Sequence, residues 1–357
     1  MSGAAHVPGA CAKGGAPGVA GPEAAREVID WYRHHARDLP WRRPGTSPYA
    51  VLVCEVMSQQ TPVERVLPAW REWMSRWPDP EALAAADAGE VLRVWGRLGY
   101  PRRALRLIEA ARAVVAEHGG ALPEGYEELL ALPGVGPYTA GAVRAFAHGR
   151  RALALDTNAR RVLARAVGGT ALPPPSPGRA ERERAEALLP PDDAGAALWS
   201  AAVMELGALV CTARNPRCGE CPWRGRCAWV AAGRPPDEHA ARRRRQAWRG
   251  TDRQARGLVM ARLRETGPGQ RVGREELLAA AAAAGATSAA AGAGTSATAS
   301  GRVGDQADPR WPERAAPPRS ERSSSTADPR RPERILAGLL ADGLMATDDG
   351  GATYRLP

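Results

Sequence analysis

Along most of the chain, apolar residues recur every three or four positions, which places them on one face of an α-helix. The first such pattern carries Val28, Ile29, Trp31 and Tyr32 and stops at Leu39-Pro40, where proline interrupts the backbone hydrogen-bond ladder. A second occupies residues 48–60, with Val51, Leu52, Val53, Val56 and Met57. Amphipathic stretches over 63–77, 80–95 and 102–118 follow, then an acidic, Leu-rich run over 124–130 and a helix from Pro137 to about residue 149. The pattern resumes after Asp156 as a basic helix, then over 180–189 and 196–209. Nearer the C-terminus it covers 254–265, starts again at Val272 and returns over 335–340. Residues 343–346 and 352–356, set around Asp348-Asp349-Gly350-Gly351, read instead as a hairpin. The predicted fold class is all-α, closed by a small module whose helix, helix, helix, hairpin order is that of a winged helix.

Composition marks the joints. Residues 1–22 are small and rich in Gly and Pro, a predicted disordered tail. Residues 234–253 hold Pro235-Pro236 and the run Arg242 to Arg245 and read as a basic linker. Residues 279–330 form a low-complexity Ala/Gly/Ser/Thr insert that splits the last module into 254–278 plus 331–357. Within it, residues 307–314 recur with one change at 327–334, a short duplication. A main domain over 23–233 is left.

The formal net charge is +10 and the pI near 9.9, which suits a polyanionic partner or a merely soluble basic surface. Arginine supplies nearly all of it, because Lys13 is the only lysine and sits in the N-terminal tail. No apolar run approaches ~20 residues and the N-terminus lacks a signal-peptide pattern, so a soluble intracellular protein is expected.

Several groups could carry chemistry. Leu132-Pro133-Gly134-Val135-Gly136 between two helices has the build of a hairpin whose following helix start offers unpaired N–H groups to a phosphate, although an ordinary αα-turn has the same build. Glu55 stands in an apolar run. Buried there it would be held partly protonated, as a general acid needs, whereas helical spacing also allows it to face water beside Gln59. Asp156 reads as an N-cap, a role that would keep its carboxylate ionised to face a developing cation. In the loop 96–103, Leu98 and Tyr100 could act as apolar wedges and the arginines could meet phosphates; a plain helix connection is the alternative. Trp41-Arg42 could hold a base, or Trp41 could cap a core. Cys211, Cys218, Cys221 and Cys227 lie in a Cys-x6-Cys-x2-Cys-x5-Cys spacing with no histidine nearby. In a reducing compartment this favours a metal group over disulfides. An iron–sulfur cluster fits better than zinc, whose structural sites tend to use two short Cys pairs, though four thiolates could ligate either. Arg214, Arg217, Arg224 and Arg226 could offset the charge of such a cluster.

Taken in order, the hairpin, Leu155-Asp156-Thr157-Asn158 and the four-cysteine spacing resemble the helix-hairpin-helix base-excision glycosylases that carry an iron–sulfur cluster. Cys54-Glu55-Val56-Met57-Ser58-Gln59-Gln60-Thr61 is similar to the signature of the adenine DNA glycosylases of the MutY type. The resemblance implies a two-lobed fold, with a six-helix lobe over about 50–150 and an iron–sulfur lobe over about 23–49 plus 151–233. It also implies a monomeric bacterial, cytoplasmic enzyme that removes adenine mispaired with 8-oxoguanine or guanine in double-stranded DNA, with a 4Fe-4S cluster on the four cysteines. It assigns Glu55 as general acid, Asp156 as stabiliser of an oxocarbenium-like sugar, and Tyr138 beside that aspartate. Trp41, Arg42 and Glu205 match positions holding the extruded adenine, while Gln60, Thr61, Leu98 and Tyr100 match residues that probe the opposite base. Leu132, Gly134, Val135 and Gly136 would contact DNA phosphate. Relatives that cut the strand carry a lysine at the place of Tyr138. Without that amine, no strand-cleaving Schiff base is expected. One departure stands out: MutY-type enzymes usually read 8-oxoguanine with a Phe-Ser-His loop in a Nudix-like C-terminal domain, yet Phe146 is the only phenylalanine here and no histidine follows His239.

Overall fold

The computed structural model describes residues 18–242, 248–286 and 328–357. Most of the tail, part of the basic run, most of the insert and the first copy of the duplication lie outside the described residues. The chain runs through α1 (Gly21–His35), a 3-10 turn at Pro40–Arg42, α2 (Pro48–Ser58), α3 (Val63–Arg76), α4 (Pro80–Ala84), α5 (Ala88–Trp95), α6 (Arg102–His118), α7 (Tyr126–Ala131) and α8 (Pro137–Phe146). It continues through α9 (Thr157–Ala166), α10 (Arg179–Glu186), α11 (Asp193–Leu209), α12 (Ala228–Ala231), α13 (Asp252–Glu265), β1 (Val272–Gly273), α14 (Arg274–Ala286), α15 (Arg331–Ala341) and β2 (Thr353–Tyr354). Side chains set several helix starts. Ser47 accepts from the Ala50 amide at 3.2 Å to open α2, and Asp87 accepts from the Glu90 amide at 2.8 Å to open α5, which is why residues 80–95 form two helices rather than one.

Two compact units result, divided at Asp38/Leu39, His148/Gly149 and Arg243/Arg244. The first takes α1 and α9–α12. Val28, Val203 and Leu206 lie in its core, and the Trp223 indole N–H donates to the Ala24 carbonyl at 2.8 Å. The second takes α2–α8 together with α13–α15. Leu39, Trp41 and Tyr49 are buried in this second unit, so its boundary falls at residue 39 rather than near 50. Trp73 sits at its centre, edge-on to both Trp77 and Trp95.

The C-terminal helices do not form a separate core. Leu263, Leu277, Leu336 and Leu356 belong to the same apolar cluster as Leu92 and Leu107, and each such side chain contributes roughly 1.5–3 kcal/mol when fully buried. Gly89 on α5 permits the close seating of the chain end: a Cβ there would lie 2.9 Å from the Pro357 carbonyl oxygen and 3.1 Å from the Leu356 Cβ. Val272–Gly273 is a strand rather than a helix start. It pairs antiparallel with β2 in the register Val272 to Tyr354, and Ala346 bridges Arg355, giving a small two-stranded sheet.

Candidate active site and metal centre

Glu55 lies in the last turns of α2, a helix buried on nearly all sides from Tyr49 to Met57. The residue is 8% exposed, so the water-facing alternative is excluded. Tyr138, in the first turn of α8, donates its hydroxyl to Glu55 Oε2 at 2.7 Å. The tyrosine hydroxyl thereby orients the buried carboxyl. Next to it, burial and the Glu55 charge push the Cys54 thiol well above its ordinary value, so Cys54 is an inert core residue.

The hairpin brings Tyr138 to this place. α7 ends at Ala131, the Val135 amide donates back to the Leu132 carbonyl at 3.1 Å, and Gly136 leads into α8. Gly134 carries the conformational demand: its φ is +79°, and a Cβ would lie 2.8 Å from the Arg106 Cβ. Leu132 and Val135 are buried anchors, whereas Gly134 is exposed and Gly136 partly so. Pro137 has no N–H, which leaves the amides of Tyr138 and Thr139 as the first donors of α8.

Around the second unit's other assigned residues the structure is selective. Trp41 is buried edge-on to Trp70 at 5.5 Å and caps the core, with Arg42 half-buried beside it. Thr61 is buried, its hydroxyl 3.1 Å from the Leu98 carbonyl oxygen, and Leu98 itself is 6% exposed. Gln60 is exposed and Tyr100 half-buried, and both hold left-handed backbone, with φ of 55° and 46°. Such strain costs on the order of 1–3 kcal/mol per residue and concentrates where a side chain must be presented. Arg103 does not reach for phosphate as the sequence suggested. It turns inward, donating to the carbonyls of Val56 at 2.6 Å, Gln59 at 2.8 Å and Gly99 at 3.1 Å, and so ties the 96–101 loop to the end of α2.

In the first unit, Asp156 is the N-cap of α9. Its Oδ1 accepts from the Ala159 amide at 2.6 Å and its Oδ2 from the Asn158 side-chain amide at 2.8 Å. The cap is as expected, but its electrostatic consequence is not: burial outweighs these donors and raises the Asp156 pKa. Glu205, buried on α11, is gripped by the Arg37 fork at 2.8 Å to each oxygen and by the Arg37 amide at 3.0 Å.

Sequence reading missed two arginine partners. Arg161 donates to the Asn158 side-chain carbonyl at 2.8 Å, to the Gly207 carbonyl at 2.7 Å and to the Cys211 carbonyl at 2.7 Å. Asn158 is thereby oriented toward Asp156, and the helix cap is wired to the first cysteine. Arg165, one turn on, donates to the Thr212 carbonyl at 2.7 Å and lies 3.4 Å from the Cys211 Sγ, with Trp229 under its guanidinium at 4.6 Å. Arginines four apart on the apolar side of a helix were the available signal. Of the loop arginines, Arg226 pairs instead with Glu23 and Glu27, and Arg217 with Glu220.

Cys211, Cys218, Cys221 and Cys227 line one cavity with Arg165 and Trp229. Burial pushes the Cys221 thiol up to about 12, and the other three thiols add to the shift. Among the described residues no three His, Cys, Asp or Glu side chains converge on a point that a single ion could occupy. Four thiols around a shared cavity, with a cation at hand for a net negative group, fit a polynuclear cluster.

Residues 53–190 match the HhH-GPD superfamily base excision DNA repair proteins, and residues 211–227 match the iron-sulfur binding domain of endonuclease III. The "Adenine DNA glycosylase" of Mycolicibacterium smegmatis is 52% identical over 240 residues, 67% of this chain and 80% of that protein. That of Mycobacterium tuberculosis is 50% identical over 254 residues, covering 70% and 81%. Among solved structures, a thermostable thymine-DNA glycosylase superposes with a TM-score of 0.53 at 28% identity over 58% of this chain and 95% of that one. The chain belongs to the adenine DNA glycosylase family within the HhH-GPD base-excision repair proteins, and its residues 211–227 match an iron–sulfur binding domain that supports a 4Fe-4S cluster. No helix among the described residues is long and apolar enough to cross a membrane.

Proposed function

We propose that this chain is a monofunctional adenine DNA glycosylase that acts as a monomer on adenine mispaired with 8-oxoguanine or guanine. The observation that carries the reading is the buried Glu55 carboxyl oriented by the Tyr138 hydroxyl at 2.7 Å. Glu55 gives a proton to a ring nitrogen of the extruded adenine, which turns a poor leaving group into a neutral one. The glycosidic electrons leave with the base, and the positive charge on the sugar is met by ionised Asp156 before water adds, loses a proton to the carboxylate that Glu55 has become, and leaves an abasic site. Arg161 and Asn158 position Asp156, and Arg37 positions Glu205 against the base together with Trp41 and Arg42. Gln60, Thr61, Leu98 and Tyr100 form the opposite-base probe, and the Leu132–Gly136 hairpin binds phosphate. Bound to the four cysteines, the iron–sulfur cluster would fix the 211–227 segment against α9. With Lys13 the sole lysine, no amine stands in this machinery to form a Schiff base.

The test is base release from duplexes holding A opposite 8-oxoguanine, A opposite G and T opposite G, for wild type and Glu55→Gln. Adenine release that Glu55→Gln abolishes, with no strand break until alkali is added, is the expected result. Release of thymine but not adenine overturns the substrate, and strand breaks without alkali overturn the monofunctional reading.

A further inference from the structure

The second unit collects arginines that its acids do not neutralise, and they gather where the C-terminal module meets the 96–101 loop. The acids of the surrounding elements are engaged elsewhere: Asp252 with Arg331 and Arg334, Asp342 with Arg102 and Arg256, and Glu265 with Arg262. Arg97, Arg253 and Arg264 have no ion pair among the described residues. Arg253, near the start of α13, is exposed, yet its guanidinium is placed by two rings: Tyr100 at 4.5 Å and the half-exposed Trp248 at 5.4 Å. Arg264 lies eleven residues further along α13, which returns it to within about 20° of the same helix face, roughly 16 Å away. Burial and the neighbouring charge of Arg97 push the Arg264 guanidinium down from its ordinary value, with Glu265 only partly opposing them. Like charges held together at a half-buried place are costly unless an anion is supplied.

The surface is also preset rather than assembled on contact. Arg93 donates to the Thr266 carbonyl at 3.4 Å, Asp342 pairs with Arg102 at 3.2 Å, and the chain end is seated on Gly89. The C-terminal segment is therefore tied to α5 and α6, the helices that flank the loop, by contacts that involve none of the three arginines.

We propose that Arg97, Arg253 and Arg264 form a second DNA-backbone site, in which the C-terminal module and the 96–101 loop bind phosphates of the same duplex that the glycosylase domain works on. It rests on the DNA-repair reading above only for the identity of the polyanion. Trp248 and Tyr100 hold Arg253 in place, and the arginines bind as charge-assisted donors without reading sequence. The site commits the module to DNA rather than to a protein partner, because its chemistry is cationic with no acceptor to match.

Binding of the full chain to an undamaged duplex and to one carrying an abasic analogue, followed by fluorescence anisotropy over a salt series, tests this. Each phosphate contact contributes about 0.9 to the slope of log affinity against log salt. Arg97→Ala and Arg253→Ala should each lower the slope by about that amount, the double variant by about twice as much, and Arg253→Lys should retain most of it. A double variant that melts like wild type yet keeps the wild-type slope on both duplexes overturns the proposal. Should Arg253→Ala disturb folding, Arg97→Ala and Arg253→Lys read the same quantity from an exposed loop residue and a charge-conserving change. A protein that binds with the expected slopes but releases no adenine would instead defeat the proposed reaction and leave this site standing.

Discussion

Glu55 in the second unit and Asp156 in the first are carboxylates in different settings. Glu55 is held mid-helix among Val53, Cys54, Val56 and Met57, where the Tyr138 hydroxyl donates to it. Asp156 sits at a helix start, where a backbone amide and an asparagine side chain both donate to it. The first setting suits an acid that must deliver a proton, and the second suits an anion that must face a cation. The surprise is that the donors around Asp156 do not win: burial still raises its pKa. The anion at that helix start is thus kept at a cost to the fold, and Arg161 and Asn158 hold its geometry.

Breaking the Glu55 side should have the largest effect. Glu55→Gln keeps the shape and the Tyr138 contact but removes the proton, and the single-turnover rate of adenine release should fall about 10²–10⁴-fold with little change in unfolding temperature. Asp156→Asn should follow, with a loss of about 10²–10³-fold, and it also separates function from stability. A raised native pKa means that the ionised form is penalised in the folded protein. Stability is therefore lost as pH rises from the ordinary Asp value near 3.8 through the native pKa. Asparagine caps a helix as well as aspartate does, so Asp156→Asn should melt higher than wild type at pH 7, and the gap should close below pH 3.8. In rate measurements the same shift should place the acidic limb of wild-type activity above the ordinary Asp range.

Smaller effects sharpen the contrast. Arg161→Ala removes three hydrogen bonds that join Asp156's neighbour to the Cys211 segment, each worth about 1.5–3 kcal/mol when charged. Slower excision together with lower iron content, read from the visible absorption of the purified protein, is expected; full iron with a wild-type rate would cut the link. Tyr138→Phe removes one donor, about 1.4 kcal/mol or tenfold in rate, and should leave Asp156's pH limb where it was. A shift of that limb would mean the two carboxylates are not independent.

Much of this was legible before any fold was known. The hairpin showed itself through Pro133 and Gly134 between two periodic runs, and the metal centre through its cysteine spacing. Asp156 read as a cap because an acid preceded a helical run. The absence of lysine beyond Lys13 needed no structure at all. The failures have a common cause. Glu55 could not be placed because a helix apolar around most of its circumference gives periodicity no face to prefer. Arg103 was expected to meet phosphate and Arg161 and Arg165 drew no assignment, yet all three turn inward to carbonyls that distant segments bring within reach.

What the sequence determined by itself is what depends on neighbours within a few residues: the helical runs, the hairpin between two of them, the spacing of thiols, and which reactive groups the chain possesses. Tertiary structure decided where each side chain points. Glu55 became buried because α2 is packed on nearly every side, and the C-terminal helices became part of the second unit because Gly89 leaves room for Leu356 and Pro357. Burial is a property of segments far apart in the chain, so no local pattern carries it.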